Sequence, residues 1–286
     1  MKILAVILLI IVVLAILLWQ GRSNWSQYIS TQQQKVRANA SDEINYINLN
    51  EVNALPEPVK KYFHLVLKDG APVINRAYVS QVGGFRANPE TKEWSKMEAE
   101  QYFSSRPRAF VWNAKISIAP GLSINVCDSY INGKGEMKAR ILSLFTLIDA
   151  QNQRELNEGA LQRYLAEAVW FPTALLPSQG VVWMELDDHR AKATITDSGI
   201  SVSLEFEFNQ KGEIISAYTP SRYKEVSGKY VSTPWKGSYS NYISVKGYRV
   251  PQQGEVEWHL KNRVYPYWKA SFRKINYSPD NGVIVG

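Results

Sequence analysis

Apolar residues run unbroken from Ile3 to Trp19. From Val73 to Tyr277 they instead alternate with polar ones, with one interruption in mid-chain. The first pattern is a helix just long enough to cross the hydrocarbon of a bilayer, which takes about twenty residues. The second is the period of two that sends successive side chains to opposite faces of a strand. The interruption, Glu155 to Trp183, carries Leu156, Ala160, Leu161, Tyr164, Leu165, Ala168 and Val169 at steps of four and one, which predicts an amphipathic helix over 155–170. Glu158, Gln162, Arg163 and Glu167 take its other face, and Pro172 ends it.

Turn residues divide the alternating regions. Asn132-Gly133 separates the run ending at Ile131 from the run Lys134 to Phe145, and Asp197-Ser198-Gly199 separates Ala191–Ile195 from Val202–Phe208, so both read as antiparallel hairpins. Asn209 to Gly212 turns again. About ten strands with one polar face are expected, and a sheet of that size must curl strongly or close. The predicted fold is therefore mainly β with few α elements. It is a strongly curved antiparallel sheet or half-barrel closed by the central helix, with an N-terminal transmembrane helix in front.

Residues 1–22 are expected as the anchor. The apolar run ends in Ala-Ile-Leu-Leu-Trp-Gln-Gly, which lacks the small residues of a signal-peptidase site, and Trp19 suits the membrane interface. Residues 23–54, rich in Ser, Asn and Gln, read as a polar stalk, and 55–286 as a single domain. Lys2 beside the apolar run favours an N-in helix in the inner membrane, with the globular part outside the cytoplasm.

Charge changes this picture little. The net charge of +7 divides into +5 for residues 1–139, −5 for 140–213 and +7 for 214–286. The basic last third, with Lys224, Lys229, Lys236, Arg249, Lys261 and Lys269 among its residues, suits anionic headgroups or the solvated face of strands. The lone Cys127 removes any disulfide framework.

The sequence contains no nucleophile elbow, phosphate-binding loop, dinucleotide fingerprint or paired metal-binding motif, so no catalytic residue, metal or cofactor is expected. The acidic knot Glu185, Asp187, Asp188 with His189 reads as a strand-to-strand turn. Nine tryptophans are many. Trp112, Trp170, Phe171, Trp183, Trp235 and Trp258 are candidate ligand-binding residues, because such rings line apolar pockets as readily as they fill cores. An anchored, extracytoplasmic domain has no nucleic acid to meet.

The string Trp170-Phe171-Pro172-Thr173-Ala174-Leu175-Leu176-Pro177-Ser178, with Pro234-Trp235, Gly237, Arg249-Val250-Pro251 and Gly254 to Trp258 downstream, resembles the signature of an uncharacterised bacterial family over roughly residues 55–277. That family brings no activity with it. The expected architecture is also similar to the lipoprotein carriers of the bacterial envelope, whose concave face holds acyl chains; this implies a hydrophobic or amphipathic ligand. The alternatives are a hydrolase of envelope material working through carboxylates such as Glu185, Asp188 or Glu257, and a structural or assembly protein of the envelope.

Overall fold

The computed structural model describes residues 2–39 and 43–278. Residues 40–42 of the expected stalk and 279–286 of the expected domain lie outside the described residues. Among the described residues there are three α-helices: α1 (Lys2–Asn39), α2 (Glu57–Val66) and α3 (Arg154–Glu167). The first meander is β1 (Arg76–Phe85), β2 (Ser95–Ser104), β3 (Ala109–Ala119), β4 (Leu122–Ile131), β5 (Lys134–Ile141) and β6 (Phe145–Gln151). The second is β7 (Val181–Asp187), β8 (Arg190–Asp197), β9 (Ile200–Phe208), β10 (Ile214–Val226), β11 (Lys229–Val245), β12 (Tyr248–Leu260) and β13 (Arg263–Ser278).

All thirteen strands form one antiparallel sheet in the order β6-β5-β4-β3-β2-β1-β13-β12-β11-β10-β9-β8-β7. The first meander thus grows outward from β1, α3 carries the chain across to the far edge, and the second meander returns to seat β13 beside β1. Neighbouring strands rotate by about 20–25° each, so two arms of this length cannot stay flat and curl toward each other. Their tips meet. The hairpin tips Asn132-Gly133 and Ser198-Gly199 both take positive φ at the two central residues, as the right-handed strand twist requires. Gly133 lies so close to Ser198 that a Cβ would overlap it, Tyr130 Oη donates to Asp197 Oδ2 at 2.6 Å, and Arg108 donates to the carbonyls of Thr196 and Gln179. Beyond this clasp β6 and β7 remain the two edges, so the sheet is not a closed barrel.

The expected count of about ten strands falls short of the thirteen observed. The run read as one strand, Lys134 to Phe145, is β5 and the start of β6, folded at Leu142-Ser143-Leu144 with positive φ at Leu142 and Ser143. No Gly, Asn or Asp announces that turn. Tertiary packing sets its backbone instead: Ser143 is buried and accepts from Asn125 Nδ2 at 2.6 Å.

The main core lies between the concave face, α2, α3 and the short 3₁₀ turns Ala168–Trp170, Pro172–Leu175 and Pro177–Gln179. The predicted helix ends at Glu167, and its continuation to 170 is 3₁₀. Its apolar stripe is buried as expected except for the half-buried Leu156, but Gln162 and Glu167 on its other face are buried too, because the helix lies inside the curl. Gly135 on β5 lets α3 approach closely, since a Cβ there would sit 2.7 Å from the Leu156 carbonyl oxygen. A second cluster lies on the outer face. Trp25, Ile29 and Val36 of α1 pack against Tyr78, Tyr102, Val111 and Cys127 of β1–β4. Residues 23–39 therefore continue the helix and dock on the sheet. Residues 2–20 project past it, almost wholly exposed, long and apolar enough to span a membrane.

Candidate functional site

The six aromatic candidates are all buried. Trp170 donates from Nε1 to the Pro251 carbonyl and packs 4.4 Å from the Phe272 ring; Phe171 lies 4.5 Å from Phe103; Trp183 donates to the Leu175 carbonyl and contacts Phe206. These three fill the clasped half of the curl together with the 3₁₀ turns. The other three, Trp112, Trp235 and Trp258, border a polar network at the middle of the concave face.

That network is built on Arg163. Its Nη1 donates to Asp128 Oδ2 at 2.5 Å and its Nε to Glu167 Oε1 at 2.9 Å, while the guanidinium lies about 5 Å over the Phe110 and Trp112 rings. Gln101 Nε2 donates to Glu167 Oε2 at 2.7 Å, Gln81 Nε2 to Gln101 Oε1 and Trp112 Nε1 to Gln81 Oε1, both at 3.1 Å. The donors thus form a chain that ends on a carboxylate, an arrangement in which each bond polarises the next. Burial pushes the Glu167 carboxyl above its usual range against the opposing pull of Arg163 and Gln101. For Arg163, burial opposes the charge, but Glu167 and Asp128 outweigh it and hold the guanidinium protonated.

Across from this network stands Arg222 of β10. It pairs in register with Thr233, and its guanidinium lies 4.9 Å from the Trp235 ring and 5.9 Å from the Trp258 ring. Trp235 Nε1 donates to Tyr267 Oη at 3.0 Å, and Tyr267 stacks on Trp258. By sequence alone Arg222 does not stand out among the many basic residues of the last third. Arg163 and Glu167 likewise read merely as a polar helix face. The available signal is parity: Gln81, Gln101 and Asp128 occupy inward positions of strands whose other inward residues are apolar.

Toward the end of the sheet away from the clasp on this arm, the concave face carries apolar rows traced by strand register. One row is Met97, Ile116, Ile124, Ile141 and Phe145; the next is Ala99, Ala114, Val126, Ala139 and Ile148. Both begin buried at β2 and β3 and reach the solvent at β6, where Phe145 is 64% and Ile148 43% exposed; Ile124, Val126 and Ile141 are half-buried. The helix α3 covers the arm only near the start of β5, so these rows form an open apolar trough. Hollows of about 530 and 380 Å³ lie elsewhere, on the outer face of β1 and β11–β13 and beside the clasp. The apolar part of α1 leaves the domain at this same end. Gly21 lies so close to Leu144, in the turn between β5 and β6, that a Cβ would overlap it.

The acidic candidates do not converge. Glu185 and Asp188 are exposed on the β7–β8 hairpin, whereas Glu257 is on β12, five strands away, in contact with His259 at 2.8 Å. Asp187 accepts from the His189 backbone N–H and from Arg190, as a turn residue does. Among the described residues no group of three or more His, Cys, Asp or Glu side chains is placed to hold a metal ion.

The model of one family, described as a family of unknown function (DUF6920), matches residues 53–277. No curated protein matches the chain. A similar solved structure is that of the LolA superfamily protein NE2245 from Nitrosomonas europaea, at 11% identity and a TM-score of 0.39, covering 76% of this chain and 90% of that one.

Proposed function

The chain belongs to this family of unknown function, DUF6920, and we propose that it is a membrane-tethered protein that holds a hydrophobic or amphipathic, lipid-like ligand in the trough of its concave face. One observation carries this reading: apolar rows, continuous with the core, stay uncovered on the arm beside which the apolar helix departs. Apolar surface left open in a concave setting favours an apolar occupant, at about 25 cal/mol per Å² removed from water. With α1 spanning the inner membrane N-in, the trough faces the outer leaflet, and a lipid reaches it over a short path. The six aromatics then act as a frame. Trp170, Phe171 and Trp183 set the wall behind the ligand, and Trp112, Trp235 and Trp258 hold the polar groups at its head.

The test uses the full chain in phosphatidylcholine nanodiscs with a diazirine-bearing fatty acid, irradiated and mapped by peptide mass spectrometry. Adducts are expected on the peptides carrying Ile124, Val126 and Ile148. Adducts confined to α1, or on neither segment, contradict the reading.

A further inference from the structure

Arg163 of α3 and Arg222 of β10 both face the middle of the concave side, and their surroundings differ. Two carboxylates bind the guanidinium of Arg163. Asp128, Glu167 and Tyr267 are near enough to act on the charge of Arg222, yet none of them reaches it with a hydrogen bond. Its Nη1 is enclosed without an acceptor. The guanidinium carbon lies 4.9 Å from the Trp235 ring centre and 5.9 Å from that of Trp258, and such ring contacts hold an arginine in place without using its N–H donors. Arg222 as a whole is half-buried, with Nη1 the part shut off from water and left without an acceptor, and burial lowers the affinity of the side chain for its proton. Structural arginines in such places are normally satisfied by carboxylates or carbonyls, as Arg163 is here.

We propose that Arg222 is the headgroup residue of the ligand site, donating to an oxygen of one anionic group, a carboxylate or a phosphate, at the end of an amphipath whose chain lies along the rows of β4–β6. The inference rests on the proposed ligand site and names the class of its ligand. Geometry sets the polarity of the occupant. Asp128 of β4 lies within electrostatic reach of Arg222, and the next inward residues of β4 are Val126 and Ile124. A head placed at Arg222 therefore leaves its chain running over apolar positions toward Ile148 and Phe145. Arg163 is a poorer head site because Asp128 and Glu167 already hold its Nη1 and Nε and balance its charge.

The experiment titrates the full chain, in nanodiscs of phosphatidylcholine alone, with hexanoate, hexyl phosphate and hexanol, and subtracts the heats from empty nanodiscs. A charge-assisted hydrogen bond predicts that at least one of the anions binds about tenfold or more tightly than hexanol. Which anion has the larger margin separates a fatty-acid head from a phospholipid head. Arg222→Gln is expected to erase the margin, and Arg222→Lys, which keeps the charge without the planar fork, to keep part of it. Wild-type chain that binds hexanol without preferring either anion overturns the role of Arg222 and leaves the ligand site standing. Wild-type chain that binds none of the three overturns both. An Arg222→Gln variant that folds and keeps the full margin also overturns the proposal. If that variant does not fold, Arg222→Lys decides in its place: a margin as large as that of the wild type counts against the fork.

Discussion

Asp128 is the residue on which the buried polar network depends most simply. It is one of two carboxylates on Arg163, and both partners have little exposed side chain. Asp128→Ala leaves a buried guanidinium half-compensated, a class of change that costs about 3–5 kcal/mol. The midpoint of urea unfolding should fall accordingly; an unchanged midpoint would show that Arg163 finds full compensation in Glu167. Glu167 gives a pH dependence. Burial raises its carboxyl, so the folded chain binds that proton more tightly than the unfolded one does, whose value is about 4.5. The stability linked to Glu167 is then fully present below that value and is lost as pH rises through the higher folded value. Thermal scans from about pH 4 to 8 should show the wild type losing ground to Glu167→Gln as pH rises. A difference constant across the range would contradict the raised carboxyl. At this scale the sequence is only partly informative. Trp112 and Trp258 are conspicuous by type, but a Gln at an inward position, such as Gln81, becomes meaningful only when the fold sets Gln101, the register partner of Val79, diagonally across from it within hydrogen-bond reach.

Helix α1 is the element whose second half the sequence conceals. Residues 23–39 look polar by composition, yet Trp25, Ile29, Gln32 and Val36 recur at steps of four, three and four, and all four are buried on the outer face. A narrow stripe of this spacing is enough to dock a helix against a sheet, with each buried apolar side chain contributing about 1.5–3 kcal/mol. Beneath it lies Cys127, the single cysteine, whose thiol burial and the nearby Asp128 push up to about 12. A thiol reagent at about pH 8 should therefore label the folded chain very slowly, since only the thiolate reacts. Val36→Asp, which puts a charge on the buried stripe of α1 and loosens the helix from the sheet, should speed labelling by about tenfold or more while the sheet stays folded by circular dichroism. Rapid labelling of the wild type would mean that α1 does not hold this position. The β5–β6 turn was hidden for the opposite reason. Its positive-φ residues, Leu142 and Ser143, are held by bonds to Ser123 and Asn125, with the adjoining Leu144 against Gly21, rather than by their own preference.

The architecture as a whole is legible because it follows from local repetition. Alternation gives the strands, Asn132-Gly133 and Ser198-Gly199 set two tight hairpins, and a single helix between two meanders crosses from one edge to the other. How the two arms close is less legible. The clasp joins Tyr130 and Arg108 to Asp197, 67 and 89 positions away in the chain, and no local pattern reports such a pairing. The same closure decides which aromatics are interior packing and which border the buried polar network, so the five tryptophans and one phenylalanine divide into two groups. Closure at the clasp and exposure at β6 also make the proposed site asymmetric, filled at one end and open at the end where the apolar helix leaves. The most direct test is native mass spectrometry of the full chain, purified from membranes in nonionic detergent, beside Ile124→Trp and Val126→Trp variants that fill the trough at half-buried positions. Wild-type chain carrying lipid-mass adducts that both variants lose, at equal thermal stability, is the predicted result; wild-type chain free of adducts, or variants that keep them in full, would contradict it.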